Sequence, residues 1–258
     1  MGRILGLIYG AGAYLFALAT LLYAIGFIGN FPLLKTIDGG VAGDRITAIV
    51  VDLALLGLFA VQHSVMARKG FKRWWTRVVP HAVERSTYVL AAGLVLALVI
   101  WQWRPMPAVV WHIDDAVGQT TLYAVFALGW VILLVATFLI SHFELFGLSQ
   151  VYDNLRGRQP AALSFKTPGL YMVVRHPIYF GLILGFWATP HMTEGHLLFA
   201  LASTAYIFIG IFFEERDLIA SFGDDYRRYR QRVPMVLPFL VRGRADRPLP
   251  QPNRQVNP

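Results

Sequence analysis

Long, almost uncharged apolar blocks decide what this chain can become. Residues 4–28 carry no charge at all, and residues 46–67 include Asp52, Gln62 and His63 in an otherwise apolar run. Residues 87–103 and 121–140 form a third and a fourth block. Each approaches or exceeds the ~20 residues that an α-helix needs to cross a bilayer. A soluble domain of 258 residues would need a polar skin, and charged residues supply 15% of this chain, against roughly 25% in an average soluble domain. An ordinary soluble enzyme is therefore excluded.

Two more apolar stretches, 178–188 and 196–213, flank Thr189-Pro190-His191-Met192-Thr193-Glu194-Gly195 and read as a helical hairpin whose first arm is short. The expected fold is an all-α integral membrane protein, with four transmembrane helices plus a C-terminal helical hairpin, five to six spans in all. A short cytoplasmic interfacial helix is expected from Asp224-Asp225-Tyr226-Arg227-Arg228-Tyr229, where the tyrosines share a face at i, i+3. Residues 1–242 read as one membrane domain. Residues 243–258, rich in Arg, Pro, Gln and Asn, read as a disordered cytoplasmic tail. The first block is too long for the apolar core of a signal peptide, and no small-residue cleavage site follows it.

The net charge of +8 is distributed by topology. The loop holding Arg68, Lys69, Lys72, Arg73, Arg77 and Arg85 is basic, as are the stretch with Arg156, Arg158, Lys166 and Arg175 and the nine arginines after Phe213. The alternate loops offer Lys35, Arg45 and Arg104. The positive-inside rule places the basic loops and both termini in the cytoplasm of a multi-pass protein. Anionic headgroups explain this basicity, and no nucleic-acid motif is present. Cysteine is absent, which excludes disulfides, thiolate zinc sites, iron–sulfur ligation and a cysteine nucleophile. The histidines show no i, i+4 pair, so no metal site is expected.

The out-of-place polar residues gather at the cytoplasmic ends of four helices: Gln62-His63-Ser64, Ser141-His142-Phe143-Glu144, Arg175-His176-Pro177 and Glu214-Glu215-Arg216-Asp217. Ionisable groups at membrane depth are costly and default to a functional reading; the plain alternative is interfacial side chains reaching headgroups. Pro177 suits the first helical turn, where free N–H groups and the dipole favour an anion. Arg175 and His176 add donors, Tyr179 a hydroxyl, and Gly181 removes bulk. Glu214 and Glu215 at a helix end oppose the dipole, so either the helix continues or the pair binds a cation.

The order Arg175-His176-Pro177-Ile178-Tyr179-Phe180-Gly181, Glu214-Glu215, Phe222-Gly223, Tyr226, Tyr229, Val233-Pro234 and Pro238 resembles the isoprenylcysteine and phospholipid methyltransferase superfamily of integral membrane enzymes. There an R-H-P-x-Y-x-G hairpin and a following E-E build the S-adenosylmethionine site, and this chain keeps that pattern. Further segments extend the likeness through most of the chain: Gln62-His63-Ser64, Lys72-Arg73-Trp74-Trp75, Glu84-Arg85-Ser86, Trp101-Gln102-Trp103-Arg104-Pro105, His142-Phe143-Glu144-Leu145-Phe146-Gly147-Leu148 and Phe186-Trp187-Ala188-Thr189-Pro190. They resemble the bacterial methanethiol S-methyltransferases, which are related to NnrU-type membrane proteins. The resemblance implies a bacterial inner-membrane enzyme, S-adenosylmethionine as cofactor, and a small volatile thiol methylated in line to a sulfide such as dimethyl sulfide. It implies cofactor-binding roles for Arg175, His176, Tyr179, Gly181, Glu214, Glu215, Tyr226 and Tyr229.

A simple thiol is mostly protonated at neutral pH, so a base or positive field is expected to help. His63 is the first candidate base and His142 the second, while Arg85 suits stabilisation of the thiolate. The alternatives are a prenylcysteine or phospholipid methyltransferase, and a non-enzymatic haem-binding protein of NnrU type.

Overall fold

The computed structural model describes residues 2–158 and 165–238. The tail of residues 243–258, and the boundary expected at 242, lie outside the described residues. The helices α1 (Gly2–Ile28), α2 (Arg45–Ala67), α4 (His81–Gln102), α5 (Ala116–Ile140) and α9 (Glu194–Phe222) are each long and apolar enough to cross a membrane. Between them lie the short helices α3 (Lys69–Trp75), α6 (His142–Leu145), α7 (Leu148–Arg156), a 3-10 turn (Gly169–Met172), α8 (Pro177–Trp187) and α10 (Asp224–Arg232). The polarity is inverted relative to a soluble protein. Asp52 and Ser86 are wholly buried, while Ile4, Leu15 and Phe212 stand exposed on the outside of the bundle. That surface needs lipid, so the chain is an all-α multi-pass membrane protein.

The helices begin earlier than the apolar blocks because polar caps start them. Asp44 accepts from the Thr47 N–H at 2.8 Å and Asp115 from Gly118 at 2.6 Å. Thr193 accepts from His196 at 3.1 Å. Each cap satisfies an N–H that the first turn leaves free. All three sit at one end of the bundle, opposite the basic loops. There a feature unforeseen from sequence joins them, a two-stranded antiparallel ribbon of β1 (Val109–His112) and β2 (His191–Thr193). Arg45 pairs with Glu194 at 2.8 Å, and Thr193 donates to Asp38.

The short arm α8 has 11 residues, or about 16 Å of the ~30 Å hydrocarbon core. A turn at Ala188–Pro190 then leads into β2. Glycine lets α8 press against α5. A Cβ on Gly129 would lie 2.6 Å from the Gly181 carbonyl oxygen, and one on Gly181 would collide with the Gly129 carbonyl. An aromatic core that includes Phe27, Trp103, Phe126, Trp130, Phe186 and Phe199 fills the bundle.

Candidate functional site

The basic end is built around Glu215. Helix α9 does not stop at the apolar boundary but runs about two turns past Glu215 to Phe222, which removes the dipole objection to a carboxylate there. Arg175 Nε lies 2.8 Å from Glu215 Oε1 without aiming its hydrogen at it, and His176 Nε2 lies 3.3 Å from the same oxygen. Arg230 Nε approaches Oε2 at 3.4 Å. The Arg175 guanidinium also donates to the carbonyls of Arg230 at 2.6 Å and Val233 at 3.1 Å. Its backbone N–H reaches Pro234 O at 2.9 Å, and that of His176 reaches Met235 O at 3.1 Å. Segment 233–235 is thereby fastened across the start of α8.

The donors expected for an external anion are thus engaged internally: the side chains of Arg175 and His176 are only 9% and 3% exposed. Glu214 is the open member, 44% exposed, with Oε2 at 3.7 Å from His176 Nδ1.

Tyr226 and Tyr229 close the lock from α10. Tyr226 is buried, and the Tyr229 hydroxyl donates to the Tyr171 carbonyl at 2.5 Å. Burial pushes the Tyr229 hydroxyl up to about 12, so it remains a donor at neutral pH. The Phe165 ring packs 5.4 Å from that of Tyr229 and 5.9 Å from that of Tyr226. The tyrosine face therefore turns inward rather than onto headgroups. Gly181 faces α5, where its missing side chain serves helix packing.

From this lock Tyr179 leads into a second polar cluster. Its ring stands 5.7 Å from that of His176, and its hydroxyl is 4.0 Å from the place a Cβ would take on Gly210 of α9. Glu214, Tyr206 and Tyr88 all lie within its electrostatic reach. In that cluster His63 Nε2 meets the Tyr88 hydroxyl at 2.8 Å, and its ring stacks on Phe59 at 5.3 Å. His63 Nδ1 and Gln62 Oε1 are buried without a hydrogen-bond partner. Ser64 and Tyr206 join hydroxyls at 3.1 Å.

Arg85 lies with its guanidinium 4.8 Å above the Tyr88 ring and donates from Nε to the Leu145 carbonyl at 2.7 Å. That carbonyl is held in place by the loop's own geometry. Gly147 adopts φ +85°, and a Cβ there would lie 2.7 Å from the Ser86 nitrogen, so only glycine fits.

His142 belongs to a different network. The Thr137 hydroxyl donates to Leu134 O at 2.7 Å, so its oxygen accepts from His142 Nδ1–H at 2.9 Å. His142 Nε2 then accepts from the Tyr14 hydroxyl at 3.0 Å. Both ring nitrogens are occupied, and burial holds the imidazole below its ordinary value, hence neutral. Phe143 and Phe146 pack around this histidine, not around His63.

Sequence reasoning missed Tyr88 and Tyr206. Tyr88 lies three residues after Arg85, and Tyr206, Gly210 and Glu214 make an i, i+4, i+8 stripe on α9. Both signals are hidden in apolar blocks where tyrosine reads as bulk.

The chain also has relatives among known proteins. The model of the NnrU protein family matches residues 53–236. The methanethiol S-methyltransferase of Mycobacterium tuberculosis (strain ATCC 25618 / H37Rv) is 54% identical over 93% of this chain and 98% of its own length. That of Pseudomonas deceptionensis is 54% identical over 93% of this chain and 92% of its own. A more distant likeness, 32% identical over 66% of this chain and 68% of the relative, is to nurim of Bos taurus. No solved structure matches the chain. The matched region reaches from within the second apolar helix to the segment fastened across α8, and so takes in both polar clusters: the chain belongs to the NnrU protein family, alongside the methanethiol S-methyltransferases it resembles.

Proposed function

We propose that this chain methylates methanethiol, or another small thiol, to dimethyl sulfide or its analogue, with S-adenosylmethionine as the methyl donor. The catalytic unit spans residues 1–242. The basic end faces the cytoplasm, as do both termini, in a bacterial inner membrane. One observation carries the reading: the basic end holds both the Glu214–His176–Glu215 lock, with Tyr179 packed on His176, and a polar cluster whose His63 Nδ1 is buried with no partner. The 54% identity to a methanethiol S-methyltransferase supports the substrate.

The residues fit such a donor by their chemistry. Glu214 offers an open carboxylate to an ammonium, and Tyr179 an aromatic face to a cation. Arg175, His176 and Glu215 hold Glu214 and Tyr179 in place, Tyr226 and Tyr229 clamp α10 over them, and Gly181 brings α8 close to α5. Bound S-adenosylmethionine supplies a methyl group activated by a sulfonium. His63 takes the thiol proton at Nδ1, which is buried with no other partner, and Arg85, its guanidinium over the Tyr88 ring, lends positive potential to the thiolate. Phe59 supplies an apolar wall beside His63, and low polarity favours a reaction in which an anion and a cation neutralise each other. In-line transfer is otherwise a matter of positioning.

The test is dimethyl sulfide in the headspace over purified protein given S-adenosylmethionine and methanethiol. Wild type should produce it, and His63→Ala, His176→Ala and Glu215→Ala should each fall at least tenfold. Wild type that makes none, or that shows a haem Soret band instead, refutes the assignment.

A further inference from the structure

Resting on that functional reading, we propose that Tyr88 is the positioning residue of the reaction. Its hydroxyl oxygen accepts from His63 Nε2–H in the tautomer that leaves Nδ1 bare, and so supports Nδ1 as the atom that accepts the thiol proton.

The argument is a count of protons. The Tyr88 oxygen and His63 Nε2 are 2.8 Å apart and share one hydrogen. A neutral imidazole and a phenol together carry two. Among the described residues nothing accepts the second. If Tyr88 donates to Nε2, the spare proton is on Nδ1, buried with no acceptor. If Nε2–H donates to Tyr88, Nδ1 presents a bare lone pair in the same buried place. Only the second arrangement can take up a proton, and it is the one a hydrogen-donating S–H group selects on arrival. Once Nδ1 is protonated, the imidazolium keeps its Nε2–H on the Tyr88 oxygen, which stabilises the new charge.

The surroundings keep this pair in register. Phe59 stacks on the imidazole at 18° between planes, so the ring cannot swing away. The guanidinium of Arg85 lies over the Tyr88 ring at 4.8 Å, itself fixed by the Leu145 carbonyl. The charged and titratable groups facing the pair are Arg85 and Glu84 on α4, Tyr206 on α9 and Tyr179 on α8. The balance closes without another reactant. The S–H proton goes to Nδ1, and the sulfur lone pair forms the new S–CH3 bond as the methyl–sulfonium bond breaks. The products are two neutral thioethers and an imidazolium that returns its proton to water.

The experiment uses full-length protein in detergent and two acceptors, methanethiol and hydrosulfide. Hydrosulfide is smaller and far more ionised at neutral pH than methanethiol, so it depends much less on a base. Tyr88→Phe should lower kcat/KM for methanethiol by roughly tenfold to hundredfold at pH 7, with the KM for S-adenosylmethionine unchanged. The same variant should lose less than about threefold on hydrosulfide, and its deficit on methanethiol should shrink as pH rises. Tyr9→Phe, which removes a hydroxyl bonded to Thr87 on the other flank of α4, should match wild type.

Equal losses on both acceptors at every pH would make Tyr88 merely structural and overturn the proposal, as would no loss at all. If Tyr88→Phe does not fold by tryptophan-monitored melting, nitrogen NMR of the His63 imidazole in wild type with methanethiol carries the test: a hydrogen on Nε2 supports the proposal, and Nε2 without one overturns it. A wild type inactive on both acceptors brings down the functional reading and this proposal with it.

Discussion

The two ends of the bundle handle buried polarity differently. At the ribbon end most polar groups close on one another, although the wholly buried Asp52, whose Oδ1 accepts from the Arg104 N–H at 2.9 Å, leaves Oδ2 without a partner. Arg45 meets Glu194, Thr193 meets Asp38, the Trp111 indole meets the Thr189 carbonyl, and His196 meets the Phe186 carbonyl at 2.8 Å. At the basic end the groups are better positioned yet less complete. Glu214 stays open, and His63 Nδ1 and Gln62 Oε1 lack partners. Buried polar groups are normally paired, and the proposed function draws on the unpaired ones beside the lock. The ribbon end acts as a staple, and the proposed chemistry belongs to the basic end.

Removing the lock should have the largest effect. Glu215→Gln leaves Arg175 and His176 buried beside a neutral amide. Breaking one side of such a buried ion pair costs about 3–5 kcal/mol. Thermal melting should fall steeply and dimethyl sulfide formation with it. A variant that melts like wild type would mean that Glu215 does not organise this end. Next is Gly181→Ala. Its new methyl meets the Gly129 carbonyl, and overpacking of this kind costs about 1–3 kcal/mol. Here the melting temperature should drop, with activity following because Tyr179 rides on the same helix. Unchanged stability would show that α5 and α8 part easily.

The contrast between the ends also explains what the sequence made legible. Membrane helices and their order follow from apolar block length, which is a local property. Of the candidate site residues, the Arg175-His176-Pro177 start and the Glu214-Glu215 pair were visible because charges stand out against apolar runs. Their mutual contact was not, since a carboxylate and a guanidinium 40 residues apart carry no sign of whether they face each other or a ligand. The ribbon was invisible because three or four residues per strand are too few to show alternation. His63 and His142 look alike in sequence, both at helix ends beside serine. Only three-dimensional partners separate a half-satisfied ring from a full one.

That separation predicts a pH effect of intermediate size. Burial holds His142 below its ordinary value, so the folded protein keeps it neutral while the unfolded chain protonates near about 6.5. The unfolded state then binds more protons. Its contribution is full above that pH and is lost as pH falls through the imidazole range. Wild type should melt progressively lower from pH 7.5 to pH 5.5, roughly. His142→Gln should show a flatter slope although it starts less stable. A slope identical in both would place the acid sensitivity elsewhere.

The smallest effect belongs to the staple's outer bond. Arg45 and Glu194 are 69% and 30% exposed, so solvent screens their attraction and the pair contributes less than about 1 kcal/mol. Arg45→Ala should shift melting by a degree or two, roughly, a shift that fades in high salt, and leave methyl transfer unchanged. Its value lies in the contrast with Glu215→Gln. Both remove one partner of an arginine–carboxylate pair, at opposite ends of the bundle. If Arg45→Ala damaged turnover as strongly, the ribbon would have to transmit to the reacting groups across the thickness of the bundle, and a staple at one end with chemistry at the other would no longer describe the molecule.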